Sequence, residues 1–162
     1  MGKINYVTGD ATDPQADGKK LIVHVCNNVG AWGAGFVMAL SKKWKQPEAS
    51  YRLMSSYDLG TVDYVTVEED IAVCNMIGQE STAGRNKHAA LPPIRYVAIE
   101  YALRQIVLTY NLAEIGGSNL FSVHMPRIGS GLAGGNWKII ETIIEETLCK
   151  AGIDVTVYDL PN

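Results

Sequence analysis

The sequence predicts a three-layer α/β/α domain built on a mixed central sheet. Three observations carry that expectation. Strand-like apolar runs alternate with helix-period segments along the whole chain. One run, Lys20–Val25 ("KLIVHV"), is almost entirely apolar, as a strand covered on both faces must be. Two glycine-rich loops, 26–36 and 127–137, each join an apolar run to a helical one. Alternation of this kind places helices on both faces of a sheet.

Taken in order, Ile4–Val7 reads as a short first strand ended by Gly9-Asp10, and "KLIVHV" as the second strand. After the first glycine loop, Phe36, Val37, Leu40 and Trp44 recur at helical spacing. Pro47 opens a second, short helix, where its missing N–H is harmless. "VDYVTV" and "IAVCNMI" flank Glu68-Glu69-Asp70 and read as two strands joined by a turn. A polar loop, 78–91, leads to Pro92-Pro93, the expected start of a long helix. Ile99, Leu103, Ile106 and Tyr110 share one face of that helix, and Gly116-Gly117 stop it. "LFSVHMP" is a further strand. Asn136 is the expected N-cap of the last helix, whose inner face is Ile140, Ile143, Ile144, Thr147 and Leu148. Gly152 caps that helix and "IDVTVYDL" is the closing strand.

Composition narrows the function. A chain of 162 residues, 47% hydrophobic, suits one domain with a real core. Fourteen basic and 17 acidic residues leave a charge of −3 with no basic stripe, which argues against nucleic acid as a partner. Cys26, Cys74 and Cys149 are odd in number and widely spaced, so neither a disulfide framework nor a zinc site is expected. No cofactor and no metal is implied. The start of the chain lacks an apolar leader and no run is long enough to span a bilayer, so a monomer in the cytoplasm, off the membrane, is the expectation.

Chemistry concentrates in the two glycine loops, "CNNVGAWGAGF" and "RIGSGLAGGNW". In open α/β sheets the ligand crevice lies beyond the carboxyl ends of the strands. Glycine lets backbone amides approach a ligand without side-chain obstruction, and a helix N-terminus adds partial positive charge. Two such loops suit a phosphate or pyrophosphate held by main-chain donors in place of cationic side chains. Neither loop contains G-K-[ST], and G-x-x-G-x-G has the wrong spacing for a dinucleotide fingerprint.

"YVTGDAT", "VHVCNNVGAWGAGFVMAL", "NMIGQ", "MPRIGSGLAGGNW" and "VTVYDL", in this order over the whole chain, resemble the macrodomain family of ADP-ribose-binding modules. The resemblance runs toward the branch that holds ADP-ribose 1''-phosphate phosphatases and terminal ADP-ribose protein glycohydrolases. It implies a single macrodomain over 1–162 whose ligand is ADP-ribose, an ADP-ribose derivative or an ADP-ribosylated protein. Under it Asp10 accepts from the adenine amino group with the Ala11 amide beside it. The alternative for Asp10 is a carboxylate capping its own turn. Asn27 and Asn28 face the distal ribose, and Gly33, Ala34, Gly35 and Phe36 wrap ribose and phosphate. Ile128, Gly129, Ser130, Gly131 and Leu132 cradle the pyrophosphate, and Tyr158 and Leu160 line the adenine side.

The same resemblance makes His24 a candidate acid, base or nucleophile, with Asn27 positioning the ribose. The alternative is a strand histidine with both ring nitrogens satisfied. His124 is read as structural and His88 as solvated. Two departures bear on mechanism. The glycohydrolases of this branch place a lysine where this chain has Gly78-Gln79, and an aspartate where it has Ala133. Lys87 is the nearest substitute for that lysine in the sequence. Three functions follow: hydrolysis of ADP-ribose 1''-phosphate, non-catalytic reading of ADP-ribose, and removal of ADP-ribose from protein.

Overall fold

The computed structural model describes residues 1–85, 90–117 and 120–162. Its sheet has six strands: β1 (Ile4–Thr8), β2 (Lys19–Asn27), β3 (Val62–Glu68), β4 (Ile71–Gln79), β5 (Phe121–Met125) and β6 (Val155–Asp159). Their spatial order is β1-β6-β5-β2-β4-β3. β2 lies at the centre, parallel to β4 on one side and to β5 on the other, with Val23 opposite Cys74 and Leu21 opposite Val123. Only β3, the hairpin partner of β4, runs antiparallel. The sheet is therefore mixed, as expected.

Because β2 is covered on both faces, its side chains divide by parity. Leu21 and Val23 point into one core with Cys74, Met76, Val123 and Val155. Ile22 and Cys26 point into the other with Val73 and Ile77. The first core is closed by α3 (Tyr96–Ile115), through Ile99, Ala102, Leu103 and Ile106, and by α4 (Trp137–Ile144). The second is closed by α1 (Phe36–Lys43) and α2 (Gln46–Arg52), through Val37, Leu40 and Tyr51. All three cysteines are buried and unpaired.

Three expectations need correction. α3 begins at Tyr96, not at the prolines. Pro92 and Pro93 disfavour helix in the residues before them. After them Ile94 forms a bridge with Gln79 and Arg95 is extended, so the helix starts only at Tyr96. Ile143 is only half-buried, whereas Ile140, Ile144, Thr147 and Leu148 are buried. After Ile144 the last helix widens into a π-helical turn, Glu145–Cys149, which periodicity did not reveal. Asn136 does cap α4, accepting from the Lys138 amide at 2.9 Å. No helix among the described residues is long and apolar enough to cross a membrane.

A cleft between two glycine loops

At the carboxyl end of the sheet lies a cleft of about 680 Å³. Asn27, Gly33, Ala34, Gly35, Phe36, Ile128, Gly129, Gly131 and Leu132, all picked out in the sequence, line it together with His24. The two loops face each other closely enough that a Cβ on Gly35 would sit 3.6 Å from Leu132 Cδ1. Topology explains this. The loops leave β2 and β5, which are neighbours in the sheet and point the same way.

The first loop is shaped from below. The register of β2 against β4 skips at Cys26/Asn27, so Asn27 pairs with Gln79 past Gly78. Such a bulge re-aims the side chain that follows. Asn27 then organises the turn: its Oδ1 accepts from the Val29 amide at 3.1 Å and the Ala31 amide at 3.0 Å, and its Nδ2 donates to the Ala31 carbonyl at 2.7 Å. Tyr51, wholly buried, reaches the Asn27 carbonyl oxygen with its hydroxyl at 2.6 Å. Burial pushes the Tyr51 phenol pKa far up, so it is a permanent donor. With the turn fixed from its polar core, the amides of Gly33, Ala34, Gly35 and Phe36 have no hydrogen-bond acceptor among the described residues. Gly35 enters α1 at φ 83°, a left-handed conformation that glycine adopts freely.

The second loop is tied in the same manner. Gly129 turns at φ 72°, its carbonyl accepts from the Gly135 amide at 2.7 Å, and the Gly134 amide donates to the Gly131 carbonyl at 3.0 Å. A Cβ on Gly129 would lie 2.6 Å from Ile94 Cδ1, so this glycine is packed. Gly131 is different: nothing lies within 4 Å of the position its Cβ would take, and its amide and that of Leu132 are free of acceptors among the described residues.

His24 forms part of the floor. It is 1% exposed and packs edge-on against Trp32 at 5.5 Å and tilted against Phe36 at 5.8 Å. Its Nε2 lies 2.5 Å from Asn75 Oδ1. The Asn75 amide nitrogen is directed at the Pro47 carbonyl and Asp63, which leaves Oδ1 facing His24 as an acceptor. Nε2 therefore carries the proton and Nδ1 the lone pair. Burial lowers the imidazole pKa to about 4, so the ring is neutral at pH 7.

The remaining sequence candidates are not among the residues that line the cleft. Asp10 Oδ1 accepts from both the amide and the hydroxyl of Thr12 at 2.8 Å, so the carboxylate does cap its own turn. Ala11 is buried beneath it. Asn28 Oδ1 accepts from the Ser81 amide at 2.8 Å. Ser130 turns its hydroxyl back toward the Ile128 carbonyl. Tyr158 is 5% exposed, with its ring against Gly9, while Leu160 is exposed. Lys87 and His88 lie outside the described residues.

Three of the lining residues that escaped the sequence reading carry amide, hydroxyl or cationic side chains. Gln79 ends β4, Thr82 belongs to the loop after it, and Arg127 precedes the second glycine loop. Arg127 brings a cation, already paired with a carboxylate, to the edge of the cradle. It is forked onto Asp159 at 2.7 and 3.0 Å, and its guanidinium lies 5.0 Å from the Tyr6 ring centre and 5.3 Å from that of Trp137. Its place directly before "IGSGLAGG" was the available signal. Gly78-Gln79 and Ala133 supply neither lysine nor aspartate at the places where the resemblance puts those of the glycohydrolases, and a Cβ on Gly78 would already meet Ile99 and Val25 at 3.1 Å.

No family model matches the chain. Known proteins do. A protein of unknown function from Bacteroides thetaiotaomicron is 48% identical, covers 98% of this chain and 99% of its own, and superimposes with a TM-score of 0.89. Among the curated relatives, the mouse chromodomain-helicase-DNA-binding protein 1-like is 32% identical over 98% of this chain, which spans only 18% of that protein's length. An ADP-ribose 1''-phosphate phosphatase from Meyerozyma guilliermondii is 25% identical, over 90% of this chain and 94% of its own. A macrodomain protein from Streptomyces coelicolor is 44% identical, over 97% of this chain and 99% of its own, with a TM-score of 0.79. At that identity and coverage, with two facing glycine loops over a mixed six-stranded sheet, the chain belongs to the macrodomain family.

Proposed function

We propose that the cleft binds ADP-ribose and that the chain hydrolyses ADP-ribose 1''-phosphate to ADP-ribose and inorganic phosphate. One observation carries the binding: the amides of Gly33–Phe36 on one loop and of Gly131 and Leu132 on the other, without acceptors among the described residues, belong to loops that line one cleft. Main-chain donors at a helix N-terminus favour phosphate oxygens. The volume, about 680 Å³, falls within the range of small-molecule sites. The hydrolytic half rests on likeness to the Meyerozyma guilliermondii phosphatase.

In that reaction a water oxygen attacks phosphorus and the bond from phosphorus to the sugar O1'' breaks. The electron pair stays on O1'', which takes a proton. The free amides stabilise charge on the phosphoryl oxygens. His24 enters as a neutral ring whose Nε2 proton is held by Asn75, so any proton it accepts goes to Nδ1.

A second reading has its own support. Asn27 uses its side chain within the turn, and His24 is buried with one nitrogen bonded, as in a module that binds without turnover. The two readings part on phosphate release from ADP-ribose 1''-phosphate, measured beside calorimetric binding of ADP-ribose. Turnover in the wild type that falls at least 100-fold in His24→Ala and in His24→Gln, with ADP-ribose still bound, supports the phosphatase. The glutamine variant keeps a partner for Asn75, so its loss is not a folding defect. Binding without release establishes the reader. Release of ADP-ribose from a glutamate-linked substrate would establish the protein hydrolase instead.

A further inference from the structure

Between β5 and β6 runs a buried chain of hydrogen bonds that the proposed function does not use. His124, 1% exposed, has Nε2 2.7 Å from Ser122 Oγ and Nδ1 2.8 Å from the Tyr158 hydroxyl. The same hydroxyl accepts from the Gln15 backbone amide at 3.0 Å. Bond directions follow from the inventory of donors. The Gln15 amide can only donate, so the Tyr158 oxygen accepts there and sends its own hydrogen to Nδ1. Nδ1 is then the acceptor, and the Nε2 proton goes to Ser122. This arrangement needs a neutral ring. Burial, together with the Lys20 ammonium, lowers the His124 pKa to about 4.

The far end of this chain is the segment 10–18, which has no helix or strand of its own and carries Asp10. Its other ties are few. Lys43 Nζ donates to the Thr12 carbonyl at 2.6 Å, and Lys20 Nζ, 7% exposed, donates to the Ala16 and Gly18 carbonyls at 3.0 and 2.7 Å. Gln15 lies between those anchors, and among the described residues Tyr158 is its one hydrogen-bonded tie to the sheet. The Tyr158 ring also forms the wall behind Gly9, whose amide donates to the Asp159 carbonyl at 2.8 Å. Asp159 in turn holds Arg127 on the cleft. The segment bearing Asp10 is thus coupled to the cleft edge through the end of β6.

We propose that His124, acting through the Tyr158 hydroxyl, is a positioning residue that fixes the 10–15 segment and thereby sets how strictly the site selects its nucleobase. The inference rests on the reading of the cleft as an ADP-ribose site and on the expectation, implied by the family resemblance, that Asp10 meets the adenine. Asp10 is bonded to Thr12 within the segment, so a loosened segment shifts the whole turn that carries the carboxylate, and the premium for a base that can donate to it is lost. The pyrophosphate loops, on β2 and β5, are untouched by the change.

The test compares ADP-ribose with inosine diphosphate ribose, whose base has a carbonyl in place of the adenine amino group. The variants are His124→Leu, which removes the Nδ1 acceptor; Tyr158→Phe, which keeps the ring; and His124→Asn, whose Oδ1 takes the place of Nδ1. The wild type should prefer ADP-ribose by roughly tenfold or more, and the first two variants by about twofold or less. The asparagine variant should restore the wild-type ratio, and the Leu/Phe double variant should lose no more than either single change. Independently of any ligand, the Gln15 amide should exchange its hydrogen at least about tenfold faster in Tyr158→Phe. A purely structural role would lower affinity for both ligands equally and leave the ratio intact, which overturns the inference. An unchanged Gln15 exchange rate overturns it as well. If His124→Leu does not fold, Tyr158→Phe decides alone. Failure of the wild type to bind ADP-ribose defeats the underlying reading of the cleft, and the Gln15 exchange then still decides whether His124 and Tyr158 hold the segment.

Discussion

Gly131 and Gly129, two residues apart in one loop, have opposite reasons to lack a side chain. At Gly131 the space beside Cα is open and faces the cleft, so Gly131→Glu fits sterically and fills the site with a carboxylate. We expect its stability to stay within about 0.5 kcal/mol of wild type while ADP-ribose binding disappears in calorimetry; retained affinity would remove that loop from the site. At Gly129 a Cβ meets Ile94 and the backbone is left-handed, so Gly129→Ala should cost about 1–3 kcal/mol in urea unfolding. Asp10 needs similar care. Alanine there would strand the amide of Thr12, which is 3% exposed, whereas Asp10→Asn keeps an Oδ1 acceptor and removes only the charge. We expect Asp10→Asn to unfold as wild type does and to bind ADP-ribose about tenfold more weakly; equal binding would show that Asp10 does not read the base.

Among the elements, α4 is the most exactingly built. Its N-cap is a side-chain bond from Asn136, its inner face is Ile140 and Ile144, both wholly buried, and it runs into a π turn that buries Leu148. Ile144→Ala should cost about 2–5 kcal/mol and Asn136→Ala about 1 kcal/mol, both read from the urea midpoint. A loss at Ile144 under 1 kcal/mol would mean that the core on that face collapses around the deletion. The extra residue of the π turn cannot be seen in periodicity, because one additional residue per turn merely shifts the phase of the apolar stripe. The late start of α3 has a visible cause in hindsight. Pro92-Pro93 satisfies the preference for proline at a helix start, but proline is equally at home in the extended backbone that leads into a bridge. Here the Ile94 bridge to Gln79 decided between the two.

For the molecule as a whole, two neutral histidines are built into the sheet, His24 and His124. Each has its pKa lowered by burial to about 4, against about 6.5 in an unfolded chain. The unfolded state therefore binds more protons between those values. Stability is fully present above pH 6.5 and declines as pH falls toward 4. Between pH 7 and pH 5 the loss should be about 2 kcal/mol for each histidine, hence about 4 kcal/mol in all. Asp70 and Asp159, held low by Lys20 and Arg127, add losses of the same sign only below the ordinary carboxylate range, so the two windows separate. Urea unfolding at the two pH values checks this, and His124→Asn should remove about half of the difference. A pH-independent midpoint would show that the imidazoles are charged in the fold.

The order of strands and helices, the two loops and the cap of α4 were legible in the sequence because each rests on neighbours within a few residues: an apolar run, a glycine spacing, an asparagine before a periodic segment. Family membership was legible too, because motif order along the chain is a property of the chain alone. What only the tertiary structure decided are relations between distant residues. The adjacency of β2 and β5 brought Gly35 to Leu132 and made two loops into one cleft. It also set Arg127 on that cleft, left the amides of Gly33–Phe36, Gly131 and Leu132 without acceptors among the described residues while Asn27 works within the turn, and joined His124 to Gln15 through Tyr158. Local sequence fixes which backbone conformations are cheap; which amides are left without an acceptor depends on the register of strands far apart in the chain.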